Sequence, residues 1–184
     1  MIKPDSWIKR KAVEERMIEP FEEKLVRGGV ISYGLSSYGY DLRLAGEYHI
    51  LTASNTSSRV TDPKDMDGTA YAKYRGESFL VPANSYILSR SLEYFRIPKN
   101  VMAIVQGKST YARCGLFVNV TPLEAGWEGY ITMSIANLSQ MPVKLYAGEG
   151  IAQVLFFESD PCETSYADRA GKYQGQKDIT LPKV

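Results

Sequence analysis

The chain has 184 residues, 44% hydrophobic and 23% charged, enough to bury the core of one domain. Its 22 Lys and Arg against 21 Asp and Glu leave a formal charge of +1, without the basic surplus or stripe that a nucleic-acid binder needs. No apolar run reaches membrane-spanning length, the first residues lack a signal-peptide stretch, and Cys114 and Cys162 read as separate reduced thiols, all pointing to the cytoplasm.

Residues 4–16 carry Trp7, Ile8, Lys11 and Ala12 at helical spacing, with Asp5 or Ser6 able to cap them and Pro20 to break the helix. The Gly-, Ser- and Tyr-rich stretch 28–44 reads as a strand, a turn region and a second strand. Short β-rich runs then recur at 47–51, 78–81, 85–91, 101–106, 117–120, 130–137, 143–146 and 152–158, punctuated by Pro, Asn and Gly. The polar stretch 52–76 reads as a long surface excursion. A helix-poor chain of this spacing predicts a β-sandwich, jelly-roll or barrel. The tail 163–184 has little apolar content. It reads either as a disordered end or as an arm that closes over a ligand, with Tyr stacking on a base and Lys and Gln reaching phosphates.

Gly107-Lys108-Ser109-Thr110-Tyr111-Ala112-Arg113-Cys114-Gly115 puts a Lys, two hydroxyls and an Arg side by side, closed by Gly at both ends. These are the groups that hold a polyanion: an Arg fork, a Lys point charge, hydroxyls and accessible backbone N–H groups. Glu124 follows in Val120-Thr121-Pro122-Leu123-Glu124-Ala125-Gly126-Trp127-Glu128-Gly129. A phosphate grip beside a carboxylate points to an enzyme acting on a nucleotide. The single histidine, His49, and the absence of Cys-x-x-Cys exclude the zinc site of nucleobase deaminases. No Gly-x-Ser-x-Gly nucleophile elbow occurs either. His49 reads as a strand residue, and Asp41 as the cap of a turn.

Trp7-Ile8, Met17-Ile18-Glu19-Pro20-Phe21, Ser32-Tyr33-Gly34-Leu35-Ser36-Ser37-Tyr38-Gly39-Tyr40-Asp41, Glu93-Tyr94-Phe95-Arg96-Ile97-Pro98, the Gly107–115 run, Val118-Asn119-Val120-Thr121-Pro122, Ser165-Tyr166-Ala167-Asp168-Arg169 and Gly171-Lys172-Tyr173-Gln174-Gly175-Gln176 resemble, in order along the whole chain, the bacterial dCTP deaminase family, a branch of the trimeric dUTP diphosphatase superfamily. The resemblance implies one domain over 1–184: a mainly β, distorted barrel or jelly-roll of the dUTP diphosphatase type, with an N-terminal helical segment (1–20) and a C-terminal arm (163–184) closing over the site. It implies a homotrimer with sites at subunit interfaces, Mg²⁺ carried on the substrate triphosphate, no zinc, and dCTP or dUTP (and dTTP as regulator) as ligands. By residue match, Lys108, Ser109, Thr110, Tyr111, Ala112 and Arg113 would bind the triphosphate, with Ser109 and Arg113 in the reaction centre. Thr132, Met133 and Ser134 would line the base pocket. Gln153, Tyr166 and Gln176 would contact the nucleotide.

One position departs from the pattern. Deaminases of this family end the segment after Trp-x-Gly in Thr-apolar-Glu, whose Glu is the general acid/base; here it reads Thr132-Met133-Ser134. An unassisted hydroxyl is a poor proton acceptor, and losing a positioned base costs about 10²- to 10⁴-fold in rate. Three readings follow: a dCTP deaminase using Glu124 or another carboxylate, a diphosphatase in which Glu124 or Asp41 positions water, and a non-catalytic nucleotide-binding trimer. Whole-chain resemblance favours the deaminase, and the chemistry of Ser134 alone favours the diphosphatase.

Overall fold

The structure is a computed structural model and describes residues 1–52, 60–66 and 68–183. Helix α1 (Asp5–Glu15) opens the chain and buries Trp7, Ile8 and Ala12, the face that the spacing predicts. Its N-cap is Pro4, and no side chain caps it. Asp5 and Ser6 lie inside the first turn instead, where the Asp5 carboxylate accepts the Ser6 N–H at 2.7 Å and suits the positive end of the helix. The helix stops before Pro20, at Arg16, which takes a left-handed conformation with φ 54°. The chain then pairs at once as β1 (Ile18–Glu19).

The strands that follow are β2 (Gly34–Ser36), β3 (Gly39–Leu51), β4 (Tyr71–Arg75), β5 (Ser78–Val81), β6 (Ser85–Arg96) and β7 (Val101–Gly107). After the short helix α2 (Ser109–Ala112) come β8 (Leu116–Asn119), β9 (Glu128–Asn137), β10 (Val143–Tyr146) and β11 (Gly150–Glu158). The main sheet runs β7-β11-β3-β6-β9-β8, with β1 on β6 and both β2 and β4 on β3. The two end strands, β7 and β8, approach each other, so the sheet curls into a nearly closed barrel. A separate pair, β5–β10, packs beside it.

Burial alternates with period two, as strands with one packed face require. On β9, Ile131, Met133 and Ile135 point into the core, while Thr132, Ser134 and Ala136 face outward and are half-buried. On β6, Tyr86 and Leu88 share that outward side. Part of the expected surface excursion is strand: β4 pairs in register with residues 47–51 of β3. Tyr71 leads it and is buried. Residues 53–59 and 67 of that stretch lie outside the described residues. No strand forms over 28–31; the segment is flanked by a bridge between Val26 and Tyr33 and held at Ile31, whose N–H donates to the Glu149 carboxylate at 2.7 Å and whose carbonyl accepts the Gly150 N–H at 3.0 Å. His49 lies on β3, as its sequence context predicts.

A buried charge sits under the barrel wall. Glu93 is fully buried and accepts both the Arg43 Nε–H at 2.7 Å and the Arg43 backbone N–H at 3.0 Å. The Arg43 guanidinium also lies over the Tyr33 ring. Among the described residues no helix is long and apolar enough to cross a membrane.

Candidate active site

The outward face of β9 forms one wall of a cavity of about 600 Å³. Thr132 and Ser134 line it, together with Leu88 and Tyr86 from β6, Tyr71 from β4 and Asn119 from β8. Strand register explains the grouping: Ser134 pairs with Leu88 on one side and with Asn119 on the other. Tyr86 lies two residues from Leu88, so it is a diagonal neighbour of Ser134 on the same face. The Tyr86 hydroxyl is 3.2 Å from that of Tyr71. Burial pushes the Tyr71 phenol above its ordinary pKa, so it remains a neutral hydrogen-bonding group.

Met133, grouped with Thr132 and Ser134 on sequence, does not join them. Its side chain is 0% exposed and packs in the core, because neighbouring residues of a strand face opposite ways. Met133 is not among the residues that line the cavity.

The segment Thr121-Pro122-Leu123-Glu124 closes a second side of the cavity, and the C-terminal tail closes a third through Tyr166, Lys172, Tyr173, Gln176, Thr180 and Pro182. The tail is an ordered arm on the barrel, not a loose end. Tyr166 N–H donates to the Ala125 carbonyl, Gly175 N–H to Glu128 and Tyr130 N–H to Gln176, each at 2.9 Å. Trp127, itself buried, donates its indole N–H to the Tyr173 carbonyl. The Thr180 N–H reaches Thr132 Oγ1 at 3.2 Å. The close approach at Gly129 makes this packing possible: a Cβ there would lie 2.9 Å from the Gln176 nitrogen.

Among the described residues lining the cavity, Glu124 is the sole carboxylate and Lys172 the sole lysine or arginine. The Glu124 side chain is about half exposed and has Arg169 at 4.0 Å. Sequence reasoning found Glu124, Thr132, Ser134, Tyr166 and Gln176, which the fold brings together here. It did not single out Tyr71, Tyr86, Asn119, Lys172, Tyr173 and Thr180, which also line the cavity. Lys172 and Tyr173 sit inside the matched motif around Gly171 and could have been read from it. Tyr71 and Tyr86 carried no local signal.

The Gly107–115 run occupies a different part of the surface of this chain. Ser109, Thr110 and Ala112 are exposed on α2, and the Arg113 guanidinium folds back to the Ser109 carbonyl at 3.3 Å. Tyr111 departs from the expectation of ligand contact: it is buried, and its hydroxyl accepts the Tyr146 N–H at 3.3 Å. Lys108 is paired with Asp41, which therefore does more than cap a turn. Gln153 donates to the same carboxylate at 3.1 Å. Cys114 is exposed. None of Lys108, Ser109, Arg113 and Gln153 lines the cavity beside Ser134.

Comparison with known proteins agrees with this architecture. The dCTP deaminase-like family model matches residues 2–159. The chain is 56% identical over its whole length to a dCTP deaminase of Herpetosiphon aurantiacus, 99% of which it covers. It is 57% identical to one from Polaromonas sp. strain JS666, again covering 99% of that protein. A crystal structure of 2′-deoxycytidine 5′-triphosphate deaminase from Agrobacterium tumefaciens superposes with TM-score 0.63 at 15% identity over 86% of this chain and 48% of that one, so this chain spans about half its length. With the family model matched over most of its length and full-length relatives above half identity, the chain belongs to the dCTP deaminase-like family.

Proposed function

We propose that this protein deaminates dCTP: water adds at C4 of the cytosine, the 4-amino group leaves as ammonia, and dUTP remains. The observation that carries this reading is identity above half, end to end, with relatives that are dCTP deaminases. The cavity supplies a matching place for the base. Its wall of Thr132, Ser134 and Asn119 offers hydroxyl and amide hydrogen-bonding groups, and its depth is lined by Leu88, Ile131 and the two phenols.

Deamination needs a group that takes a proton from water and delivers it to the pyrimidine. Among the described residues Glu124 is the only carboxylate lining the cavity, and we assign that role to it. Ser134 orients the base or the water by hydrogen bonding. Arg113 and Ser109 hold charge and a hydroxyl at the reaction centre, and Lys108, with the backbone of residues 108–113, grips the triphosphate. Because this run does not line the same cavity in one chain, the reading requires a second copy to supply it, and a homotrimer meets that need. Closure of the arm through Tyr166 and Gln176 excludes water from the complex.

Among the described residues no group of three or more His, Cys, Asp and Glu could hold a metal ion. In our reading Mg²⁺ arrives on the triphosphate as part of the substrate, in the cytoplasmic nucleotide pool, with dTTP as a competing ligand.

One observation favours a second reading. The hydroxyl at Ser134, where the resembling deaminases carry Glu, suits a diphosphatase that attacks the phosphate chain instead. A product assay on Mg–dCTP and Mg–dUTP separates the two. Ammonia from dCTP, lowered about 10²- to 10⁴-fold in Glu124→Gln, is the expected result. Diphosphate without ammonia overturns the deaminase assignment.

A further inference from the structure

Asp41 is 5% exposed, inside the sheet formed by β2, β3 and β11, where it stands directly opposite Gln153. Its two oxygens divide their work. Oδ2 accepts from the Lys108 ammonium, and Oδ1 accepts from Gln153 Nε2 at 3.1 Å. The same Gln153 nitrogen donates to Ser36 Oγ at 2.9 Å. The Lys108 side chain is only 12% exposed, and its backbone N–H is fixed on the Ile151 carbonyl at 3.1 Å.

We infer that Asp41 is the positioning residue of the phosphate grip, setting the place of the Lys108 ammonium and the direction of the Gln153 amide. This rests on the reading above, in which Lys108 and Gln153 meet the nucleotide. A carboxylate only accepts hydrogen bonds, so it dictates that the NH₂ of Gln153 faces inward. Both hydrogens of that NH₂ are then used, on Asp41 and Ser36, and only the carbonyl oxygen is left for a ligand. Toward the nucleotide Gln153 therefore accepts, from a hydroxyl donor, and does not donate to phosphate. Lys108 has three N–H donors, of which Asp41 takes one, leaving two for phosphate oxygens at the start of α2. Without Asp41 a nearly buried ammonium would lack a partner and swing out to water.

The argument decides between two opposite electrostatic expectations. If Asp41 were only a negative charge near a polyanion site, removing it would tighten polyphosphate binding. If it positions Lys108, removing it loosens binding, and only while Lys108 is present. The test is calorimetric binding of inorganic tripolyphosphate to wild type, Asp41→Asn, Lys108→Met and the double variant, with melting temperatures to confirm folding. We expect Asp41→Asn to weaken binding about tenfold in the wild-type background and less than twofold in Lys108→Met. Asp41→Glu, which keeps the charge in the strand and so protects the fold, should recover most of the loss. Tighter binding, no change, or an equal loss in both backgrounds overturns the inference. Tripolyphosphate binding does not depend on turnover, so it reads Asp41 even if the protein released no ammonia. Conversely, ammonia release with an unchanged Asp41→Asn affinity would sink this inference alone.

Discussion

Trp127 donates its indole N–H to the main-chain carbonyl of Tyr173 at 2.9 Å, so a side chain rooted in the barrel core holds the arm that roofs the cavity. Trp127→Phe keeps an aromatic ring in place and removes the donor. Losing one such bond costs about 1 kcal/mol. The expected outcome is a KM for dCTP raised roughly fivefold with kcat nearly unchanged, because binding is weakened and the reacting groups are untouched. Steady-state ammonia release checks it. A fall in kcat without a change in KM would show that the bond acts on the chemistry and not on arm closure.

The root of the same arm depends on pH. Ser165 donates both its hydroxyl, at 2.7 Å, and its backbone N–H, at 3.0 Å, to the Asp168 carboxylate, and Lys99 adds an ion pair. These bonds, that of the hydroxyl first, hold the Asp168 pKa down at about 2. Its unfolded value is near 3.9, so the carboxylate favours the ordered arm above that pH and loses its effect as pH falls toward 2. Amide hydrogen exchange over 165–176 should be protected at pH 5 and progressively less so between pH 4 and 2, on top of the intrinsic pH dependence. Asp168→Asn should remove that step and leave exchange fast throughout. An identical pH profile in both proteins would show that the arm is anchored elsewhere.

What could be read from the sequence follows from which interactions are local. Most barrel strands announce themselves by alternation between turn residues, and β10 falls where the pattern puts it. The basic, hydroxyl-rich run 107–115 and Glu124 stand out as contiguous chemistry, whereas Thr132, Ser134 and the arm residues come only from the family resemblance. The period-two rule also separates Met133 from its neighbours, and would have done so had it been applied to the motif. Other features had no local trace. β4 hides in a polar stretch because its register is set by β3. The Asp41–Lys108–Gln153 cluster joins residues far apart in the chain, so only the β2–β3–β11 pairing reveals it. Helix α2 is a single turn, too short for periodicity to show.

The buried pair of Glu93 and Arg43 predicts a large stability effect away from the cavity. Burial, the dominant influence, pushes the Glu93 carboxyl above its usual range, and the two Arg43 bonds oppose it. Removing one partner strands the other. Arg43→Met leaves the buried Glu93 carboxyl without its guanidinium partner and with only the main-chain N–H of residue 43 and the more distant Tyr40 hydroxyl, at a cost of about 3–5 kcal/mol. Arg43→Met with Glu93→Met should recover much of that loss, since an apolar pair of similar volume needs no compensation. Urea unfolding of the two single variants and the double variant measures this. Additive losses would mean that the two side chains act independently and that the pair is not the unit of stability.

The sharpest prediction concerns Ser134. Its side chain faces the cavity between Leu88 and Asn119, and it is half-buried beside open volume, so a longer side chain can enter without touching the core. Ser134→Glu places a carboxylate where the resembling deaminases hold theirs. In our reading Glu124 already supplies a base, so the gain reports how much better a carboxylate on this wall is placed: ammonia release from dCTP should rise above wild type, by no more than the about 10²- to 10⁴-fold that a positioned base contributes. The two carboxylates then become alternatives. In Ser134→Glu combined with Glu124→Gln, activity should survive, whereas Glu124→Gln alone should lower it about 10²- to 10⁴-fold. Loss of activity in the combined variant would mean that Glu124 binds the sugar or orders the loop in addition to any proton transfer. No gain in Ser134→Glu, with nucleotide affinity intact, would mean that C4 of the base does not lie beside residue 134, and the assignment of this wall to the pyrimidine would fall.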